Sequence, residues 1–303
     1  MITVTTIAEV RAACDAARAS GQRVGLVPTM GYFHEGHRSL MRAARGANDV
    51  VVVSLFVNPT QFAPTEDLAG YPRDPVGDTA VAEAEGVDVL FIPAVAEMYP
   101  DGARTTVHVA GLTERMCGAT RPGHFDGVTT IVAKLFSIVG PSRAYFGRKD
   151  AQQLAVIRRM TADLDLPIDV VGCPLVREAD GLALSSRNSY LVGDERSAAT
   201  ILAGSLYMAS EAVVAGQRDA AALRQLIVDT VARSPLVRLD YVDVVDATTL
   251  NPIEQITADT LVALAAHVGK ARLIDNVTIT FRGGTPCPDL GVLTASSGTT
   301  EAQ

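Results

Sequence analysis

Cysteine is scarce in this chain, and basic charge is outnumbered. The 303 residues hold four cysteines, Cys14, Cys117, Cys173 and Cys287, scattered without the CxxC spacing of a zinc ribbon or a redox dithiol. That scatter excludes a disulfide-stapled scaffold and fits single thiols in a reducing cytoplasm. The formal net charge is -8, which argues against a general nucleic-acid binder, because affinity for a polyanion rests on neutralising many phosphates. A local basic pocket remains compatible with it. The first residues lack the basic start, apolar run and small-residue cleavage site of a signal peptide, and no later apolar run reads as membrane-spanning. The expectation is a cytoplasmic protein that binds neither nucleic acid nor membrane. What is present is a composition 48% hydrophobic and 20% charged, enough for one large core or two moderate ones.

Apolar residues recur with helical spacing between Ile7 and Ser20, Thr6 stands where a cap belongs, and Gly21 follows as a stop. Two near-continuous β-branched runs, at 24 to 27 and 49 to 57, flank a segment of helical length. This is the spacing of a strand, a crossover helix and a parallel strand with both sheet faces covered. A third unit runs from a helical stretch around Thr79 to Ala84 into a strand at 87 to 93. Residues 127 to 139 fit a buried helix by length and a strand pair by β-branched content. A strand at 143 to 147, a helix from about Asp150 to Asp163 and a strand at 168 to 176 continue the alternation. The fold class expected is α/β, a Rossmann-like doubly wound parallel sheet over residues 1–187. Alanine-rich helical stretches and then several strands predict a smaller C-terminal α+β domain over 188–282, and the Gly-, Ser-, Thr- and Pro-rich residues 283–303 read as a flexible tail.

The chemistry concentrates in "LVPTMGYFHEGH", Leu26 to His37. In an open parallel sheet, ligands bind beyond the carboxyl ends of strands, where the loop "PTMG" leaves the first run. Gly31 permits a tight turn, and Gly36 brings backbone close to a ligand. A helix starting near Glu35 aims free amide groups at a phosphate, and His34 and His37, three residues apart, can face the same anion. An imidazole beside a phosphate has its charged form favoured and stabilises charge growing in the transition state. A zinc site would want a third ligand and HExxH spacing, which "HEGH" lacks. Lys149, after "AYFG", offers a mobile positive charge for a triphosphate. In "LSSRN", Arg187 offers a rigid fork of donors, with Ser185 and Ser186 adding hydroxyls. Gln61 and Gln153 offer neutral amides that suit hydroxyl and carboxylate recognition.

The segment "HEGH" resembles the HxGH motif of the nucleotidyltransferase superfamily. With "FVNPTQF" at 56 to 62, "RPGHFDGV" at 121 to 128, "YFGRKDAQQ" at 145 to 153, "VREADGLALSSRN" at 176 to 188 and "ARLIDNV" at 271 to 277, the chain resembles the pantoate–β-alanine ligase family up to about residue 281. The resemblance implies ATP-dependent condensation of (R)-pantoate with β-alanine through a pantoyl adenylate. Adenylation replaces a poor leaving group, carboxylate oxygen, with AMP. By resemblance, ATP is lined by Met30, Gly31, Tyr32, Phe33, His34, Glu35, Gly36 and His37, with His37 the leading catalytic residue. Gly147, Arg148, Lys149 and Asp150, then Val176, Leu184, Ser185, Ser186 and Arg187, complete the ATP set. Pro28 and Met30 contact substrate; Gln61 and Gln153 surround pantoate, Gln61 also near β-alanine. The resemblance further implies Mg2+, a homodimer, and a smaller domain that closes to exclude water from the adenylate. Two departures stand out. Gly77 and Val81 replace groups that relatives use around the metal, leaving Asp78 as its one side-chain candidate, and Arg148 stands where relatives are commonly acidic.

Two other readings compete. Another HxGH enzyme acting on a phosphorylated substrate would need further basic groups, whereas the glutamines suit a less charged partner. A nucleotide-binding protein without chemistry would have no use for His34, His37, Lys149 and Arg187 together.

Overall fold

The computed structural model describes residues 1–63 and 68–294. The chain divides into two compact units, the first ending at Cys173 and the second starting at Pro174. The first contains β1 (Ile2–Val4), α1 (Ile7–Ala19), β2 (Val24–Thr29), α2 (Glu35–Ala47), β3 (Val50–Leu55), α3 (Pro75–Ala84), β4 (Val89–Phe91), α4 (Val95–Met98), α5 (Cys117–Thr120), α6 (His124–Val139), β5 (Ser142–Gly147), α7 (Ala151–Asp163) and β6 (Ile168–Cys173). The strands form one sheet in the order β1-β4-β3-β2-β5-β6, and every pairing is parallel. This is the doubly wound α/β sheet expected.

Alternation along the strands explains why both faces are covered. In β2, Leu26 packs with α1, α6 and α7 through Val10, Cys14, Val128, Leu135 and Ile157. Its neighbour Val27 packs on the opposite face with Leu40, Met41 and Ala44 of α2 and Ala82 of α3. Thr6 caps α1 by accepting the Glu9 N–H, while the Glu9 carboxylate accepts the Thr6 N–H at 2.9 Å. The ambiguous run at 127 to 139 is helical. It is apolar nearly all round because α6 is buried on most sides, from Val128 to Val139, and this burial overrides the strand preference of its β-branched residues. The sheet order reverses between β2 and β5, so the loops leaving their carboxyl ends flank a crevice at the switch point.

The second unit contains β7 (Val176–Arg177), α8 (Asp194–Ala198), α9 (Thr200–Val214), α10 (Ala220–Val231), β8 (Val237–Asp246), β9 (Thr260–Val268), β10 (Ala271–Arg282), β11 (Thr285–Asp289) and β12 (Val292–Leu293). Strands β8 to β11 form an antiparallel sheet in the order β11-β10-β9-β8. Leu202, Leu206 and Val213 of α9 and Leu223 and Ile227 of α10 pack against Val262, Leu264, Val277 and Ile279 from it. The stretch Asp194–Val214 is long and apolar enough to cross a membrane, but these core contacts occupy its apolar face.

Two sequence expectations are corrected. The division falls at Cys173–Pro174 rather than at 187 to 188, because the chain leaves the parallel sheet at Cys173 and β7 pairs with β12 instead. The tail does not begin at residue 283. Gly283 and Gly284, both at positive φ, make a two-residue hairpin turn that returns the chain as β11. Pro286 and Pro288 are tolerated there because β11 is an edge strand. The expectation for 295–303 lies outside the described residues. Leu26 is completely buried in the first unit, so Leu26→Ala is expected to cost about 2 to 5 kcal/mol in urea unfolding.

Candidate active site

The turn from β2 into α2 is held from within. Gly31 has φ 85° and Tyr32 φ 55°, and the two amides that follow converge on one carboxylate. Tyr32 N–H donates to Asp78 Oδ2 at 2.8 Å and Phe33 N–H to Oδ1 at 2.7 Å. A Cβ at position 31 would stand 2.8 Å from Asp78 Oδ2, so glycine suits both the dihedral and the space. Asp78 lies in the first turn of α3 and is buried. Burial pushes its carboxyl up from the ordinary value, against the two amide donors that favour the carboxylate.

His34 and His37 belong to the helix start itself. His34 is the N-cap, and its Nδ1 accepts the Gly36 N–H at 3.1 Å. His37 Nδ1 accepts the His34 N–H at 3.3 Å, and the ring centroids lie 4.2 Å apart. Because each Nδ1 accepts, each neutral ring carries its proton on Nε2. Burial first, then the Lys149 charge, pushes His34 down to about 4. Burial, His34 and Lys149 hold His37 well below its ordinary value. In the protein without nucleotide both rings are therefore neutral at physiological pH and offer Nε2–H as a donor. A neutral donor still stabilises developing oxyanion charge, without the desolvation cost of burying an imidazolium.

Lys149 lies in the 3-10 turn Arg148–Asp150 that follows β5, across the switch point from the two histidines. Asp150 raises the proton affinity of His34 against the effect of Lys149. Arg148 is drawn toward β6, its Nε donating to Gly172 O at 3.2 Å. Glu35 directs its carboxylate to Arg38 and Arg42, leaving its backbone as its contribution to the site. Pro28, Met30, Phe33 and Gly36 are half-buried along the same turn, and Tyr32 is partly exposed.

Gln61 is buried after β3, its Oε1 accepting from Asn58 Nδ2 at 3.0 Å. Asn58 also donates to Gly127 O and accepts from the Tyr99 hydroxyl at 2.8 Å. The Gln61 carbonyl accepts from His124 Nδ1 at 2.9 Å and Arg121 Nη2 at 3.3 Å. The amide nitrogen of Gln61 has no partner among the described residues, so it is available to a ligand. Gln153 is half-buried and makes no side-chain hydrogen bond among the described residues. Its neighbour Gln152 is engaged with Cys117 N–H and the carbonyls of Leu112 and Arg115. Sequence reasoning named neither Asn58 nor Arg121 and His124 as functional, although "FVNPTQF" and "RPGHFDGV" contain them.

In the second unit, Val176 is buried in β7 and its carbonyl accepts the Leu184 N–H at 2.9 Å. Ser185 Oγ accepts the Arg187 N–H at 3.2 Å and so caps a 3-10 turn through Ser186. The Arg187 guanidinium is exposed and has no partner among the described residues.

A family model for pantoate-beta-alanine ligase matches residues 2–278. The chain belongs to the pantoate–β-alanine ligase family. A pantothenate synthetase from Heliobacterium modesticaldum is 59% identical over 86% of this chain and 92% of its own length, and one from Moorella thermoacetica is 57% identical over 90% and 97%. The crystal structure of pantothenate synthetase from Thermus thermophilus superposes with a TM-score of 0.86 at 48% identity, covering 91% of this chain and 98% of that one. A Francisella tularensis pantoate-beta-alanine ligase, described as complexed with beta-gamma ATP and beta-alanine, superposes at 0.73 and 33% identity over 91% and 97%. For a ligase of this family, the protein side of a metal site is sparse. Among the described residues no group of three or more His, Cys, Asp or Glu is arranged to hold a metal. Each Asp78 oxygen accepts one backbone amide, so this carboxylate, the one side-chain candidate for magnesium, also holds the turn.

In nucleotide-free protein, side-chain nitrogen NMR is expected to show His34 neutral and Nε2-protonated at pH 7, titrating near 4; a midpoint at or above 6.5 contradicts this. The sign for stability is fixed as well. Unfolded imidazoles take up protons near 6.5 and the folded ones resist, so stability falls as pH drops below 6.5 and His34 stops contributing to that fall below about 4. Asp78→Asn is expected to lower stability by about 1 to 3 kcal/mol and weaken ATP binding; unchanged stability in urea unfolding contradicts its hold on the turn, and a metal titration of activity tests its role toward Mg2+.

Proposed function

We propose that this chain catalyses the ATP-dependent condensation of (R)-pantoate with β-alanine, giving pantothenate, AMP and diphosphate through a pantoyl adenylate. The observation that carries the reading is the HxGH turn: two neutral Nε2–H donors at a helix start, within the field of Lys149, in a chain that matches its family over nearly all its length.

In the first step a pantoate carboxylate oxygen attacks the α-phosphorus of ATP and diphosphate departs. His34, His37 and Lys149 stabilise charge on the phosphate oxygens. The backbone from Met30 to Gly36 lines ATP and Gly147, Arg148 and Asp150 contribute from the turn after β5; the family resemblance also assigns Val176, Leu184, Ser185, Ser186 and Arg187 to ATP. Gln61 and Gln153 bind the hydroxyl and carboxylate groups of pantoate, with Pro28 and Met30 against its apolar surface and Gln61 also beside β-alanine. In the second step the amine of β-alanine attacks the acyl carbon, the carbon–oxygen bond to AMP breaks, and the amine loses its proton. Mg2+ brought in with ATP would neutralise phosphate charge and orient the leaving diphosphate, and Asp78 is the side chain that would help hold it. A cytoplasmic homodimer completes the reading, and sedimentation checks the dimer.

Mixing the protein with MgATP and pantoate, without β-alanine, is expected to give a near-stoichiometric burst of diphosphate and bound acyl adenylate in rapid quench. No burst from folded protein contradicts the reading. His37→Ala is expected to slow that burst by about 100-fold while the fold persists; an unchanged burst removes His37 from catalysis. Gln153→Ala is expected to raise the pantoate dissociation constant by about tenfold and leave that for ATP unchanged, and equal effects on both would contradict its assignment to pantoate.

A further inference from the structure

Residues 279–294 lie outside the family match, yet they fold onto the second unit. After the hairpin turn and β11, the chain crosses to lay β12 parallel to β7, with Val292 opposite Val176 and Leu293 opposite Arg177. Val292 N–H donates to Leu175 O and Thr294 N–H to Arg177 O, each at 2.8 Å.

The side chain under this segment is Arg177, buried to 1% exposure. Its Nε donates to Leu290 O at 2.6 Å. Nη1 donates to Asp275 Oδ2 at 2.7 Å and Gly181 O at 3.0 Å, and Nη2 to Asp275 Oδ1 at 2.9 Å and Asn276 O at 3.3 Å. These bonds engage all five guanidinium N–H groups, and the carbonyl that serves Nε comes from the added segment. A buried guanidinium that loses one acceptor has either to move or to admit water.

Arg177 is also the root of the loop that carries Leu184 to Arg187. Arg177 and Ala183 form an antiparallel bridge, Glu178 N–H donates to Leu182 O at 2.8 Å, and Leu184 N–H donates to Val176 O at 2.9 Å. At the far end Asn188 Nδ2 bonds Glu178 Oε1 and Ala183 O. The loop is thus referenced at both ends to β7, and β7 is referenced to the added segment.

We propose that Leu290–Thr294 is a strap that positions the Leu184–Arg187 loop for nucleotide, acting through Arg177. This rests on the assignment of that loop to ATP. Two variants remove the strap while sparing the loop: Val292→Pro, which deletes the N–H donated to Leu175 O, and a chain ended after Asp289, which keeps the β10–β11 hairpin. Hydrogen exchange of the 176–188 amides is measured beside the KM values for ATP and pantoate, with Arg187→Ala as the control for the loop. Both strap variants are expected to speed exchange across 176–188 and raise the ATP KM by about three- to tenfold, with the pantoate KM and kcat at saturating ATP within about twofold of the parent. Arg187→Ala is expected to raise the ATP KM and leave exchange at β7 unchanged. Unchanged exchange and ATP KM in both strap variants, with Arg187→Ala still impaired, overturn the strap. An Arg187→Ala enzyme with normal ATP binding overturns the loop assignment, and with it the strap's role toward nucleotide.

Discussion

The grip of Asp78 on two consecutive backbone amides is the constraint on which the first unit's chemistry rests. A turn with Gly31 and Tyr32 both left-handed is unfavourable on its own, and the amides it exposes form a small anion-binding nest. Asp78 fills that nest with the protein's own carboxylate. The helix that follows can then begin at Glu35 with His34 as its cap. Fixing the turn fixes both imidazoles, because each is tied through Nδ1 to the backbone of the same four residues. The site is therefore organised before any ligand arrives, and its donors need little rearrangement when charge appears on phosphate.

Electrostatics works in the same direction. Two imidazoles and one ammonium in a partly buried crevice cannot all be charged cheaply, and the rings give way. Under the proposed function Lys149 then supplies the formal charge while His34 and His37 supply directed hydrogen bonds. Under the proposed assignment of Gln61 and Gln153 to the acid substrate, the division of labour is similar. Gln61 is held through its oxygen by Asn58 and through its carbonyl by Arg121 and His124, which leaves its amide nitrogen for a ligand without adding charge. Among adjacent glutamines, Gln152 braces the 112–117 loop and Gln153 is left available.

Much of this was legible in the sequence where physics is local. The β-branched runs of β2 and β3 announced strands buried on both faces, Thr6 announced the start of α1, and Gly31 and "HEGH" announced a tight turn into a helix. The parts that were not legible depend on distant partners. α6 is helical because neighbours cover it nearly all round, which its own β-branched content does not reveal. The hold of Asp78 on the turn emerges only when the Tyr32 and Phe33 amides are placed against it. The neutral state of the imidazoles depends on burial and on Lys149, more than a hundred residues away in the chain. The Gly283–Gly284 pair is a hairpin signal set in a stretch whose composition otherwise reads as a tail.

The chemistry turns on a carboxylate oxygen of pantoate becoming bonded to the α-phosphorus of ATP. The most direct test supplies pantoate labelled with 18O in both carboxylate oxygens, together with MgATP and β-alanine, and follows the label by mass spectrometry. Attack at the α-phosphorus and cleavage of the acyl carbon–oxygen bond place one 18O in AMP and leave one in pantothenate. Label in inorganic phosphate, with ADP as the nucleotide product, would mean attack at the γ-phosphorus and would contradict the account.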